Sequence, residues 1–158
     1  MERRAMIGAV LGTVTAALVS RDGEAMPADN SETNKLVIQN LIERVWRNGS
    51  IDELPTFWTV DCINHADSAP QNLGLDALRR YHEGFAQWFL DFVNVEIDVQ
   101  QQISENDRVV TQMLLRAVHV ATRRNISLAT IRIDRIFANK IAEHWSVADL
   151  AGLMKQLA

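Results

Sequence analysis

The side chains with most chemistry to offer lie near the C-terminal end, where His144 and Asp149 flank Trp145-Ser-Val-Ala148. A neutral imidazole, with an ordinary pKa of about 6.5, can take a proton from a carbon beside a carbonyl, so His144 is the candidate general base. Its plainer role would be a hydrogen bond within a pocket wall. Asp149 stands where a closing helix begins and can accept hydrogen bonds from the free N–H groups there. Arg132 keeps its charge at any working pH and cannot shuttle a proton. Its paired donors suit a carboxylate or a developing enolate oxygen, and Asp134, two residues on, is a ready ion-pair partner. His65 follows Asn64 in a segment that reads as a loop, as either a ligand contact or a turn stabiliser. Tyr81, Trp88 and Trp145 are aromatic candidates for a flat hydrophobic ligand, although aromatics at helical spacing more often build core.

These groups need elements to hold them. Ile38, Leu41, Ile42, Val45 and Trp46 recur at three and four residues and predict a helix capped by Ser31 or Thr33 and ended by Gly49. Ser50 heads a shorter second helix with Asp52 and Glu53 in its first turn, where Pro55 is tolerated. Residues 67–74 read as a loop, and Leu75 to about Phe89 as a third helix with Leu78, Tyr81, Phe85, Trp88 and Phe89 along one side. Three helices thus precede any strand. From Val93 the apolar period becomes two, through Val95, Ile97 and Val99, and longer strands follow over Val109–Val120, Ile126–Phe137 and Ile141–Val147. Leu150, Leu153, Met154 and Leu157 return to helical spacing. Helices first and turn-linked strands afterwards predict an α+β fold over a mostly antiparallel sheet.

A specific likeness resides in Arg135-Ile136, Lys140-Ile-Ala-Glu-His-Trp145, Asp149 and the terminal Gln156-Leu157. Ile63-Asn-His65, Gly74-Leu-Asp76 and Phe89-Leu-Asp-Phe92 extend it. Together they resemble the SnoaL-like polyketide cyclase (ester cyclase) branch of the nuclear-transport-factor-2-like superfamily, from about Asn34 to Leu157. The resemblance implies a cone-shaped α+β barrel, its curved sheet of four to six strands wrapped around three N-terminal helices, plus a short C-terminal helix. It also implies a hydrophobic pocket at the open end, a cofactor-independent cyclase or isomerase using proton transfer on a carbonyl compound, and a homodimer paired through the sheet. By that likeness His144 takes the place of an acid/base aspartate and Arg132 that of an acid/base histidine. Asp149 becomes an orienter of His144 or an alternate base, His65 a mouth contact, and Trp145, Tyr81 and Trp88 ligand-lining groups. Because both acid/base positions are altered, a non-catalytic binding or dimerisation module of the same fold is the rival expectation.

Composition narrows the classes. A 158-residue chain with 47% apolar and 23% charged residues fits one soluble domain able to bury a core. A net charge of -4 with both signs mixed gives no basic stripe, so nucleic acid is not an expected partner. One cysteine, Cys62, excludes an internal disulfide and multi-cysteine metal sites. No metal is expected, since His82 and His119 lie at no ligating spacing, and neither phosphate-loop nor nucleophile-elbow patterns occur. Residues 1–25, with Glu2-Arg-Arg4 before an apolar run, read either as a signal peptide or as an apolar N-terminal extension, so the expected location is export or the cytoplasm. Residues 26–33 read as a linker and 34–158 as the domain.

Overall fold

In the computed structural model, residues 30–66 and 72–158 are described; the expectations for the leader and for most of the 67–74 loop lie outside them. Helix α1 spans Ser31–Leu41 and continues as a π-helical stretch over Ile42–Arg47. Asn30, rather than Ser31 or Thr33, occupies its N-cap position, without a side-chain cap. Gly49 ends it at φ +70°, a left-handed conformation glycine adopts without a Cβ penalty. A 3-10 turn over Ile51–Glu53 and the short helix α2, Leu54–Phe57 with Pro55 in its first turn, then turn the chain toward the sheet.

The first strand comes earlier than the apolar pattern indicated. β1, Trp58–Ala66, and the two-residue β2, Asn72–Leu73, both precede helix α3, Gly74–Phe89. His65 is therefore a strand residue, not a loop residue. The period-two signal is present in β1, since Trp58, Cys62 and Asn64 are buried, but a register irregularity between Trp58 and Ile63 interrupts the alternation. β3 (Phe92–Glu105), β4 (Arg108–His119), β5 (Asn125–Phe137) and β6 (Lys140–Ala148) complete a six-stranded sheet, closed off by helix α4, Leu150–Leu157.

Strand order is β2-β1-β6-β5-β4-β3, antiparallel throughout except for the parallel β1–β6 pair. The α+β cone expected from the resemblance is thus the fold, with a mostly antiparallel curved sheet over the helices. One core joins its layers: Ile38, Leu41 and Val45 of α1, Leu78 of α3, Val109, Met113 and Leu115 of β4, Ile126, Leu128 and Ile136 of β5, and Leu153 of α4. In β3 the alternation expected from Val93 is broken by register shifts. Val93 and Val95 are exposed while Ile97 is buried, and Asn94 takes φ 53° at the break. Ile131 and Ile133 of β5 and Val147 of β6 are exposed on the opposite face. Among the described residues no helix is long and apolar enough to cross a membrane.

Candidate active site

Two local features of the β5–β6 hairpin decide which side chains enter the interior. Its turn is two residues, Ala138 and Asn139, both at positive φ, the backbone twist that a tight hairpin requires. Ordinary pairing outward from Phe137 and Lys140 would set Asp134 opposite Glu143. Instead Ile136 pairs with Ile141 and Arg135 with Glu143, leaving Ala142 as an extra, bulged residue. Beyond that point the register is moved by one, and Asp134 faces His144. Because strand side chains alternate, the extra residue also turns His144 inward and Trp145 outward. Consecutive burial of Ile141 and Ala142 is the mark this leaves.

The inward side chains form a buried polar cluster. Arg132 Nε donates to Asp134 Oδ2 and Arg132 Nη2 to Oδ1, each at 2.6 Å, a two-pronged ion pair. His144 Nδ1 lies 2.8 Å from the same Oδ1. Against a carboxylate that nitrogen must donate, which fixes the tautomer and leaves Nε2 with a free lone pair. Side-chain exposure is 0% for Asp134, 1% for Arg132 and 8% for His144, so the imidazole is the least enclosed member of the set. Burial raises the Asp134 pKa, but the charges of Arg132 and His144 outweigh it and hold the carboxyl below its ordinary range. Burial, reinforced by Arg132 and opposed by Asp134, pushes the His144 pKa down. Burial thus favours the neutral form of the ring, the form a base needs.

Neighbouring elements contribute further polar atoms. Asn64 on β1 pairs with His144 across the parallel ladder and is 1% exposed, and among the described residues neither its amide nitrogen nor its oxygen is hydrogen-bonded. Arg132 Nη1 also lacks a partner among the described residues. The Arg132 guanidinium stands 4.8 Å over the Trp46 ring, which the π-helical stretch presents. Wide helical turns of this kind occur often at functional sites. Trp58 packs edge-on to both His144, at 5.8 Å between centroids, and His82 of α3, at 6.4 Å.

Of the residues singled out from sequence, His144 and Arg132 meet in this cluster, and the Arg132–Asp134 ion pair is present. Asp149 does not join them. It is exposed, and its carboxylate caps α4 by accepting from Gly152 N at 2.8 Å, while Asp134 takes the orienting place beside His144. Asp149→Ala should accordingly lower stability by about 1 kcal/mol, in a denaturant titration, through loss of the cap. Any ligand affinity should be unchanged, and a weakened ligand would return Asp149 to the site.

His65 and Trp145 are on the other face. Their rings stack at 4.7 Å and 3°, Arg108 lies over Trp145 at 5.5 Å, and Glu143 bonds Arg135 at 2.8 Å with His65 Nε2 3.8 Å away. The inserted Ala142 is the reason for this side exchange. Tyr81 is half-buried on α3 next to His82. Trp88 is in α3 as expected, but its side chain lies outside the described residues. Cys62 is a buried core residue whose thiol is pushed up to about 11, chiefly by burial, which leaves it unreactive. No group of three potential metal ligands occurs among the described residues.

Asp134, Asn64 and His82 are the cluster residues that sequence reasoning passed over or took for neighbours. For His82 a signal existed, since it is four residues beyond the buried Leu78 on the apolar side of α3. Its ring nitrogen Nδ1 lies 3.0 Å from the Leu78 carbonyl. Burial, opposed by that hydrogen bond and aided by the charges of Arg132 and His144, lowers its pKa from 6.5 to about 4. A folded-state pKa below the unfolded one means stability present above pH 6.5 and lost as the pH falls toward 4. The loss through His82 should approach about 3 kcal/mol. Urea midpoints between pH 7 and 4.5 should show it, and His82→Gln should flatten the slope; an equal slope in the variant would assign the effect elsewhere.

Surface clefts, one lined by Gln39, Glu43, Arg47 and Val99 and another by Ile103, Asn106, Arg108 and Ile133, contain none of the cluster. Their polar lining residues are exposed, whereas Arg132, Asp134 and His144 are buried and hydrogen-bonded to one another, so the buried polar set remains the better candidate.

Known proteins agree with this architecture. A protein from Jannaschia sp. CCS1 named as a SnoaL-like polyketide cyclase superposes with a TM-score of 0.71 at 16% identity, over 82% of this chain and 94% of its own. IdmH from Streptomyces antibioticus gives 0.66 at 22% identity, over 78% and 97%. A protein from Catenulispora acidiphila with a ketosteroid isomerase-like fold, solved with trimethylamine, gives 0.63 at 12%, over 76% and 90%. Such identities speak for the fold alone. No curated protein sequence matches the chain. The SnoaL-like polyketide cyclase family profile, however, matches residues 36–157, nearly the whole of the sheet and its helices, and the chain belongs to that family.

Proposed function

We propose that the protein is a cofactor-independent enzyme of the cyclase or isomerase type, which moves a proton at a carbon beside the carbonyl of a hydrophobic, polyketide-like compound. The observation that carries this reading is the Asp134–His144 hydrogen bond of 2.8 Å, which pins a neutral imidazole with its free nitrogen turned from the carboxylate. In this reading His144 Nε2 takes the proton and later returns it. The remaining donors, Arg132 Nη1 and the Asn64 amide, have no partner among the described residues and suit the oxygen on which negative charge develops.

Charge balance supports the direction. With His144 neutral, Arg132 and Asp134 cancel. Accepting a proton makes the cluster singly positive at the moment when an enolate becomes singly negative, so the new charges stabilise one another in a medium that screens them little. Resting pKa depression and catalytic competence are therefore compatible: the imidazolium is unfavourable alone and favourable beside an enolate. The names carried by the similar structures from Jannaschia and Streptomyces antibioticus fit a polyketide-like substrate.

The direct test is hydrogen–deuterium exchange at the carbon beside the carbonyl of 1-tetralone, followed by NMR in heavy water. The wild-type chain should accelerate exchange over buffer and His144→Gln should not. Exchange that survives in His144→Gln would remove the base. A ligand carrier without turnover would bind the ketone in both forms and exchange it in neither.

A further inference from the structure

Arg132 and Asp134 are two residues apart on one face of β5, so their ion pair forms within a single strand. Nε and Nη2 are both spent on the carboxylate, which leaves Nη1 as the donor directed elsewhere. Two parallel hydrogen bonds fix the distance between the groups but leave the guanidinium free to tilt about the line joining them. Such a tilt displaces Nη1 in particular. What opposes it comes from another element: the Trp46 ring faces the guanidinium at 4.8 Å to its centroid.

Trp46 is in turn held from both sides. It belongs to the π-helical stretch, in which Asn48 N reaches back five residues to Glu43 O at 3.1 Å. Arg47, the next residue, donates to the Ile97 carbonyl on the edge strand β3. Arg44 pairs with Glu53 and lies over the Phe57 ring of α2 at 5.3 Å. The Trp46 indole N–H is buried and has no partner among the described residues. Phenylalanine or leucine would fill such a place without stranding a donor, so packing alone does not account for tryptophan there. A wide π face against a cation does, and that contact is strongest where water is excluded, as it is at Arg132, 1% exposed.

We propose that Trp46 is a positioning residue: by closing one face of Arg132 it aims Nη1 at the oxygen on which negative charge develops, and the π-helical turn sets its ring there. This rests on the reading that Arg132 serves that oxygen while His144 takes the proton. A donor aimed in advance lowers the barrier because it need not reorganise as charge appears, whereas one that swings loses much of that benefit.

The test follows hydrogen–deuterium exchange of 1-tetralone against ketone concentration for the wild-type chain, Trp46→Met and Trp46→Phe. Methionine adapts to the vacated volume without a ring, and phenylalanine keeps a smaller π face. Trp46→Met should lower the maximal rate about 10- to 100-fold and leave KM within about threefold, since the aim of Nη1 matters most once the oxygen is charged. Trp46→Phe should regain most of the rate. Lower denaturant midpoints with an unchanged maximal rate, or equal rate losses in the two variants, would reduce Trp46 to packing and overturn the proposal. Proton NMR of the wild type needs no variant: nuclear Overhauser contacts should link the Trp46 ring to the Arg132 side chain, and their absence would overturn the stack. Exchange abolished in His144→Gln but kept in Trp46→Met would remove Trp46 and leave the base intact. Wild-type protein without exchange would overturn the base reading and this inference with it.

Discussion

Asp134→Ala is expected to lower unfolding free energy by about 3–5 kcal/mol, the cost of stranding one half of a buried ion pair. Arg132 is 1% exposed and gives two of its donor positions to this carboxylate, so removal leaves a guanidinium with neither water nor counter-ion. His144 would lose its orienting acceptor in the same step. Stability should be read from denaturant midpoints with a constant slope. The double variant Arg132→Met with Asp134→Ala should recover a good part of the loss, because no charge then remains to be solvated. A single-variant loss below about 1 kcal/mol would mean that water reaches Arg132 freely, contrary to its burial.

His144→Gln should reduce ketone exchange by about 10²–10⁴-fold, the usual contribution of a positioned general base. Glutamine can still hydrogen-bond Asp134 but has no titrating nitrogen, so structure and ligand affinity should change little while rate collapses. Activity should also fall on acidification. The His144 pKa lies below its ordinary value, so the active neutral form persists to a lower pH than a free imidazole would allow. The acid limb of the exchange profile should therefore begin below about pH 6.5 in wild type. An acid limb centred above that value would show that the positive field of Arg132 and burial do not govern this ring.

The consequences of the Ala142 bulge reach beyond one pairing. Without the extra residue, Asp134 would meet the carboxylate of Glu143 inside the sheet, and His144 would stand outside beside Arg108 and Arg135. With it, Glu143 instead finds Arg135 at 2.8 Å on the outer face and the buried carboxylate finds an imidazole. Both sides of the sheet then carry matched charges, which is a physical reason for the shifted register to win over regular pairing.

Much was legible from residue order alone. Helical spacing from Ile38 to Trp46, the glycine at position 49, strand alternation after Val109 and the closing helix at Leu150 are local signals, carried by backbone preference and apolar period. The motif around Lys140–Asp149 pointed to the family, with His144 and Asp149 as catalytic candidates and Arg132 on the preceding strand as an electrostatic clamp. Tertiary structure decided the rest. β1 was hidden because its alternation is interrupted and its pairing partners, β2 and β6, lie on either side of it in the sheet and, in β6, far along the chain. Asp134 displaced Asp149 as partner of His144 because one inserted residue altered the phase of β6. His82 and Asn64 joined the site because a helix face and a parallel ladder converge on the same wall. Periodicity describes which residues share a face; only the packed sheet determines which face is inside and which distant side chains meet there.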